Sequence, residues 1–515
     1  MPAQRHYPQR VDVAIVGSGP TAAAYARILS ESAPEARIAM FEVGPTVSSP
    51  PGAHVKSIPE GADRARAQRA SEGPGADAPK ITSPAAMKSG KRLARPGTFL
   101  IEGEHTVPGE DGLPVAAMSS NVGGMGAHWT GACPRPGDSE RITFLDDLDE
   151  ILDDAERLLG VSRTAFENAP FGSVIVERLG AAVNAGRPPE RRVQAMPLAV
   201  HRQGDGSLVW SGPDVIMGEA TRSNPNFELF DESLVTKVLT ADGRASGVEV
   251  RDLRTDSTHT VDARFVIVGA DAFRTPQLLW ASGIRPDALG RYLNDQTQVV
   301  FSSRLRDVSA PVVADETAGG LKVQSGVNWV PFTDALPFHI QVMQPDSSPV
   351  PVPEDDPLVP GSIVGLGMFL AKDLQHEDRV EFSDVDVDSY GMPAIRVHYR
   401  LTERDHEMLE RARAAAIELA EAVGEPFDDT PFTLPLGSSL HYQGTTRMGD
   451  QDDGTSVCDT HSEVWDAPGV FVAGNNVIPT ATACNPTLTS VALAIRGARH
   501  VAARLADAGS AVRNS

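Results

Sequence analysis

The order of apolar and polar positions divides the chain into stretches of different period. VDVAIV (Val11–Val16) reads as a short buried strand, Gly17–Pro20 as a turn, and Thr21–Ser30 as a helix of small and apolar residues. Arg37–Glu42 is the next strand, which completes a strand–helix–strand unit of about 30 residues, the length a dinucleotide-binding fingerprint requires. From 48 to 98 the periodicity disappears, and EGADRARAQRASEGPGADAPK is dominated by Pro, Gly, Ala, Ser and charge. Such a stretch buries too little apolar surface to offset its chain entropy, so we expect a flexible insertion or lid.

Period returns near Phe99. Phe144–Gly160 predicts a helix, and Asn224–Leu253 alternates as successive strands around Asp242-Gly243. Asp262–Ile284 reads as a buried strand, a turn and a helix. Between Val299 and Tyr399 short alternating runs dominate (VVFSSRLRDV, LKVQSGVNWV, FHIQVMQP, IVGLGMFLAK, RVEFSD, AIRVHYRL), which predict one antiparallel sheet. Leu401–Val423 is a charged helix. A strand at Val470–Ala473, a loop and a long helix close the chain, with Leu488, Val491, Ala492, Ile495, Ala498 and Ala502 at helical spacing. The expected fold is α/β. A Rossmann-like nucleotide-binding domain is assembled from 1–47, 99–298 and 436–515, and an antiparallel-sheet (α+β) substrate-binding domain from 299–435 is inserted before the last segment.

The 515 residues carry 46 Lys and Arg against 69 Asp and Glu, a net charge of −23. A field of that sign disfavours nucleic acid as a partner. No apolar run approaches the ~18 residues of a membrane span. The first ten residues, MPAQRHYPQR, lack the apolar core of a secretory signal. Three widely spaced cysteines do not make a disulfide framework or a cysteine zinc site, so a reducing cytoplasmic location is expected.

Three groups of residues carry candidate chemistry. Gly17-Ser-Gly19-Pro-Thr-Ala22 has the spacing of a phosphate loop, with alanine in the third glycine position. Glu42, 20 residues after Ala22, is placed to accept from a ribose 2′-hydroxyl and to repel a 2′-phosphate. At the other end, Gly474-Asn475 follows a strand. Asn485 and Pro486-Thr487 then open a buried helix, Asn485 as cap and Pro486 in its first turn. The positive end of that helix suits the N1–C2=O edge of a flavin better than a nicotinamide. His441, which opens a Gly- and Thr-rich loop, pairs in this reading with Asn485: the histidine takes a hydroxyl proton and the amide holds the oxygen while a hydride leaves carbon. His128, in Gly123-Gly124-Met-Gly-Ala-His-Trp-Thr, is open between a cofactor contact, a base and a packed turn; no second ligand stands at metal-site spacing.

GSGPTAAAYA, VGGMGAHWTGACP, ARFVIVGADAFRTPQLLWASGI, DVDSYGMP, HYQGTTRMG and IPTATACNPTLTSVALAIR together resemble the glucose–methanol–choline (GMC) oxidoreductase superfamily. The resemblance is to its pyranose oxidase branch, including shorter bacterial relatives that oxidise glycosides, and it runs from residue 11 to residue 497. It implies FAD as cofactor and His441 and Asn485 as the catalytic pair. It places His128 against the flavin's dimethylbenzene edge, where a covalent bond can form, and Thr130 at the N5–O4 edge. Gly126-Ala127 stands where fungal members carry Ser-Thr, so the bond is left open. Val235, Gly474 and Asn475 complete the expected cofactor contacts. Gln341 and Trp329, on strands expected to cover the flavin, are the candidate substrate contacts.

The implied reaction oxidises a secondary hydroxyl of a glucoside or pyranose, at C3 in preference to C2, to a keto-sugar. Electrons then pass to O2, giving H2O2, or to a quinone-like acceptor. The alternatives are a pyranose 2-oxidase acting on free glucose and a GMC enzyme acting on a non-sugar alcohol. The chain is shorter than the fungal enzymes, which favours a monomer or homodimer.

Overall fold

The computed structural model describes residues 5–81, 86, 89, 91–167, 169–308, 328–344 and 361–513, the side chains of 508–513 excepted. Two seven-stranded sheets organise it. In the first, Phe227–Phe230, Ile38–Phe41, Arg10–Val16, the second half of Ser257–Val268 and Val470–Val472 run parallel in that order. The first half of the long strand Ser257–Val268 pairs instead with an antiparallel hairpin, Ser233–Ala241 and Arg244–Asp252. Asp242 and Gly243 turn that hairpin with φ of 51° and 76°, the left-handed pair that a two-residue turn demands.

The strand cores are fully apolar because helices cover them: Pro20–Ser32 and the C-terminal Thr487–Arg513 pack together over the sheet. Gly17 makes the turn from strand to helix with φ +91°, and a Cβ there would stand 2.3 Å from the Gly269 carbonyl. Ala22 packs its methyl towards Gly269, so a small residue is required in that third position of the loop.

The second sheet is antiparallel: Glu425–Pro426, Thr297–Arg304, Ile363–Leu370, Phe338–Met343, Asn328–Val330 and Gln194–Ala195, with Phe432–Thr433 also on Thr297–Arg304. One face (Val299, Phe301, Ile340, Val342, Leu366, Met368) is buried under the helices Gly172–Val183 and Glu403–Val423. Thr402 caps the latter: its hydroxyl accepts from the Asp405 N–H at 3.1 Å and the Asp405 carboxylate accepts from Thr402 N–H at 2.8 Å. By the two-residue period of a strand, the opposite face carries Gln298, His339, Gln341, Gly367 and Phe369.

One expectation is corrected. Arg379–Val387 and Pro393–His398 do not join this sheet but form a separate two-stranded ribbon. Alternation specifies a strand and not its partner. Here Val380, Phe382 and Val397 find their apolar contacts against Phe273 and Tyr442 instead. The run LKVQSGV lies outside the described residues. Within 48–98 the structure has a helix at Gly61–Ala70, and Gln68, Arg95 and Thr98 reach the cavity described below. No helix among the described residues is long and apolar enough to cross a membrane.

Candidate active site

A cavity of about 840 Å³ runs from the phosphate loop to the His441–Asn485 pair. At its first end, Gly17, Ser18 and Gly19 face Glu42. The Glu42 carboxyl is 5 % exposed; it accepts from Ser18 N–H at 3.1 Å, Ser18 O–H at 2.6 Å and Gly44 N–H at 3.0 Å. Burial pushes it up to about 7, against the pull of those hydrogen bonds and of Arg274. A Cβ on Gly19 would meet nothing within 4 Å, so open space lies over the start of the helix, where a pyrophosphate needs it. Ser18 Oγ also accepts from Gly123 N–H at 2.9 Å, which ties the loop of His128 to the phosphate loop.

The same cavity is lined by Gly124, His128, Thr130, Val235, Gly474 and Asn475. His128 has a defined tautomer. Asn121 Nδ2 donates to Val122 O at 2.8 Å, which turns Asn121 Oδ1 towards His128. That Oδ1 therefore accepts from His128 Nε2–H at 3.2 Å, leaving the lone pair on Nδ1. Nδ1 is buried without a partner, and burial holds the imidazole down at about 4. Ala22, Gly123 and Pro486 lie behind the wall and shape its backbone.

At the far end His441 and Asn485, distant in sequence, meet: Asn485 Nδ2 donates to His441 Nε2 at 3.2 Å. The polarity of this bond is set from both sides. Gln296 Nε2 donates to the Thr482 and Cys484 carbonyls, each at 2.8 Å, so Gln296 Oε1 accepts from His441 Nδ1–H at 2.7 Å. Gln341 Nε2 donates to Asn485 Oδ1 at 2.9 Å, which turns the Asn485 amide group towards the imidazole. His441 thus presents a lone pair on Nε2. Burial, aided by Arg95 and His339, holds it down at about 3, so it is neutral near pH 7. The Phe369 ring lies stacked on it, centroids 5.5 Å apart. Half-buried Arg95 lines the same cavity and donates to Ser438 O at 3.2 Å.

Local folding explains how the pair is placed. Leu440, just before His441, has φ 62°. Such a residue is held only where its surroundings over-determine it. Here Asn294 and Gln443 exchange backbone hydrogen bonds at 3.0 and 2.8 Å. Buried Asp295 accepts from Gly437 N–H and from the Ser439 hydroxyl, whose oxygen in turn accepts from His441 N–H. Thr445 donates to Ala272 O at 2.6 Å, the carbonyl left without its helical partner because residue 276 is proline. The C-terminal helix begins at Thr487, not at Pro486 as expected; the Asn485 amide is engaged by His441 and Gln341 and does not cap it.

Gln341 and Trp329 do not reach the cavity wall. Gln341 acts from behind Asn485, and buried Trp329 packs with Ala132, Phe166 and Leu198. Gln296, Arg95 and Asp295 were missed from sequence. The signal that could have found two of them is the polar run Asn294–Gln298, which opens a buried strand and is itself buried throughout.

The residues fit an FAD. A buried carboxyl and an open glycine loop suit its adenosine diphosphate end. His128, Thr130 and the helix start at Thr487, all in the cavity wall, suit the flavin end.

Models of the GMC oxidoreductase family match residues 140–298 and 376–494. The chain is 68% identical to a C-glycoside 3-oxidase of Arthrobacter globiformis, over 98% of this chain and 97% of that one. It is 65% identical to a C-glycoside 3-oxidase of Microbacterium trichothecenolyticum (97% and 98% covered) and 32% identical to a pyranose 2-oxidase of Tricholoma matsutake (97% and 94%). Among solved structures, pyridoxine 4-oxidase from Mesorbium loti superposes with a TM-score of 0.65 at 17% identity, covering 95% of this chain and 99% of that one. A formate oxidase of Aspergillus oryzae gives 0.64 at 16% (98% and 100%).

Proposed function

The chain belongs to the GMC oxidoreductase family, and from that premise we propose that it oxidises the C3 hydroxyl of a glycoside, including aryl C-glucosides, to the 3-keto product. The observation that carries this reading is the two-sided lock on the catalytic pair. With Nδ1–H committed to Gln296, His441 carries its lone pair on Nε2, and a substrate hydroxyl that takes the place of the Asn485 contact there can give its proton to it. Asn485 Nδ2, oriented by Gln341, has a second N–H with which to hold the same oxygen. FAD, when bound, accepts the hydride from the carbinol carbon. Both protein groups are neutral, so neither repels the alkoxide character that develops on the oxygen. Arg95 adds positive potential at the same end of the cavity.

The names of the two most similar relatives reported above support C3 and a glycoside. They also support O2 as the acceptor, with H2O2 as product; a quinone-like acceptor is separated from it by measuring peroxide per keto-sugar formed. Anaerobic mixing of the yellow protein with an aryl C-glucoside and, separately, with glucose tests the substrate. Faster flavin bleaching by the glucoside is expected. The reverse order replaces this reading by a pyranose 2-oxidase, and bleaching by neither removes the sugar.

Cofactor contact remains the reading for His128. Its lone pair is on Nδ1 against Gly97, where an added Cβ would stand 2.6 Å away, and Nε2–H is committed to Asn121. A covalent link would have to break that arrangement, so acid precipitation is expected to leave the yellow colour in the supernatant. The division at 48, 99, 299 and 436, the monomer or homodimer and the cytoplasmic location are carried forward as part of this proposal. Three free, buried cysteines support the last.

A further inference from the structure

The turn 480–485, which delivers Asn485, is gripped on two sides. Gln296 holds its carbonyls, as described. Its N–H groups face Glu140, a side chain outside the cavity wall and 1 % exposed. Glu140 Oε1 accepts from Ala483 N–H at 2.8 Å and from Cys484 N–H at 2.9 Å. Its Oε2 accepts from Gly137 N–H at 3.0 Å, and its backbone carbonyl accepts from the Thr480 hydroxyl at 2.9 Å. Three N–H donors converge on one buried carboxyl, and the peptide that supplies two of them carries Asn485 at its end.

We infer that Glu140 is a positioning residue for the oxidation proposed above: through the Ala483 and Cys484 amides it holds Asn485 and the carbonyls that orient Gln296, and through Gln296 it fixes the tautomer of His441. The inference rests on that functional reading for its kinetic part alone. Each oxygen of the carboxylate accepts from N–H, so protonation removes the charge that strengthens those bonds and adds a hydrogen among three donors, and an amide in its place turns one acceptor into a donor facing a donor. Burial pushes Glu140 up to about 7; Arg191 faces it and favours the charge, and the Cys484 thiol faces it in neutral form. The carboxylate therefore prevails above that value, and its grip weakens as the pH falls through it.

Two measurements on the FAD-loaded protein test this. The first is amide hydrogen exchange of the peptide 480–486, corrected for the chemical rate. In the wild type, protection should fall between about pH 8 and pH 6, and Glu140→Gln should show low protection at both. The second is the limiting rate of anaerobic flavin bleaching by an aryl C-glucoside. Glu140→Gln should lower it by about 10–100-fold at pH 8, the size of effect expected from a misplaced catalytic group. The acid limb of the wild type should be absent from its pH profile, with the half-saturating substrate concentration unchanged. Wild-type protection that does not vary with pH, together with an unchanged bleaching rate per bound flavin in the variant, overturns the inference. If no sugar bleaches even the wild type, the functional reading fails and the exchange measurement alone decides the role of Glu140.

Discussion

The two ends of the cavity are made of different materials. At the phosphate-loop end the working groups are mostly backbone: a turn that only glycine can make at residue 17, open space over Gly19, and a helix start, with the side chains of Glu42 and Ser18 bonded to each other beside them. At the other end they are side chains from four separate segments, Gln296, Gln341, His441 and Asn485, each making the hydrogen bond that orients the next. A backbone site tolerates most changes of side chain and fails when the chain path is altered. A chain of side-chain bonds keeps its path and fails when one bond is lost. Substitutions at the two ends should therefore separate cofactor content from turnover.

The largest effect is expected from His441→Ala. Removing the base should slow anaerobic bleaching by about 10²–10⁴-fold, with FAD content kept. Bleaching within twofold of wild type would remove His441 from the reaction. Gln296→Leu should come next. It leaves the imidazole in place and releases its tautomer, which should cost about 10–100-fold, the effect seen when an outer partner that orients a ligand histidine is lost. Titrating the rate with substrate distinguishes this from weaker binding, because the limiting rate and not the half-saturating concentration should change. At the opposite end, Gly17→Ala should do the converse. Its Cβ would press on Gly269 O in a left-handed backbone, costing about 1–3 kcal/mol. FAD per chain should drop while the bleaching rate per bound flavin stays near wild type. Equal losses in both quantities at either end would break the comparison.

The same contrast explains what was legible in the sequence. Backbone sites depend on local spacing, and so the strand Arg10–Val16, the glycine turn, the helix Pro20–Ser32 and Glu42 could be read directly. The Asp242-Gly243 hairpin and the charged helix after Leu401 were local in the same way. His441 and Asn485 were paired across 44 residues because hydride removal needs a base and a group to hold the oxygen, and the resemblance implied the same pair. Gln296 had no such help: its role exists only because the strand Thr297–Arg304 starts where the turn 480–485 arrives. The ribbon at 379–398 was assigned to the wrong sheet for a related reason, since alternation records which face is buried and not against what. Gln341 was chosen as a substrate contact because of its strand; the sheet places it one layer back, on Asn485.

The central claim is that the His441–Asn485 pair directs hydride loss from C3 of a glycoside. It is tested most directly by anaerobic bleaching with two labelled aryl C-glucosides, one carrying deuterium at C3 and one at C2. The account predicts a several-fold slower reaction for the C3-labelled sugar and no change for the C2-labelled one. A slowing that follows deuterium at C2 would contradict it.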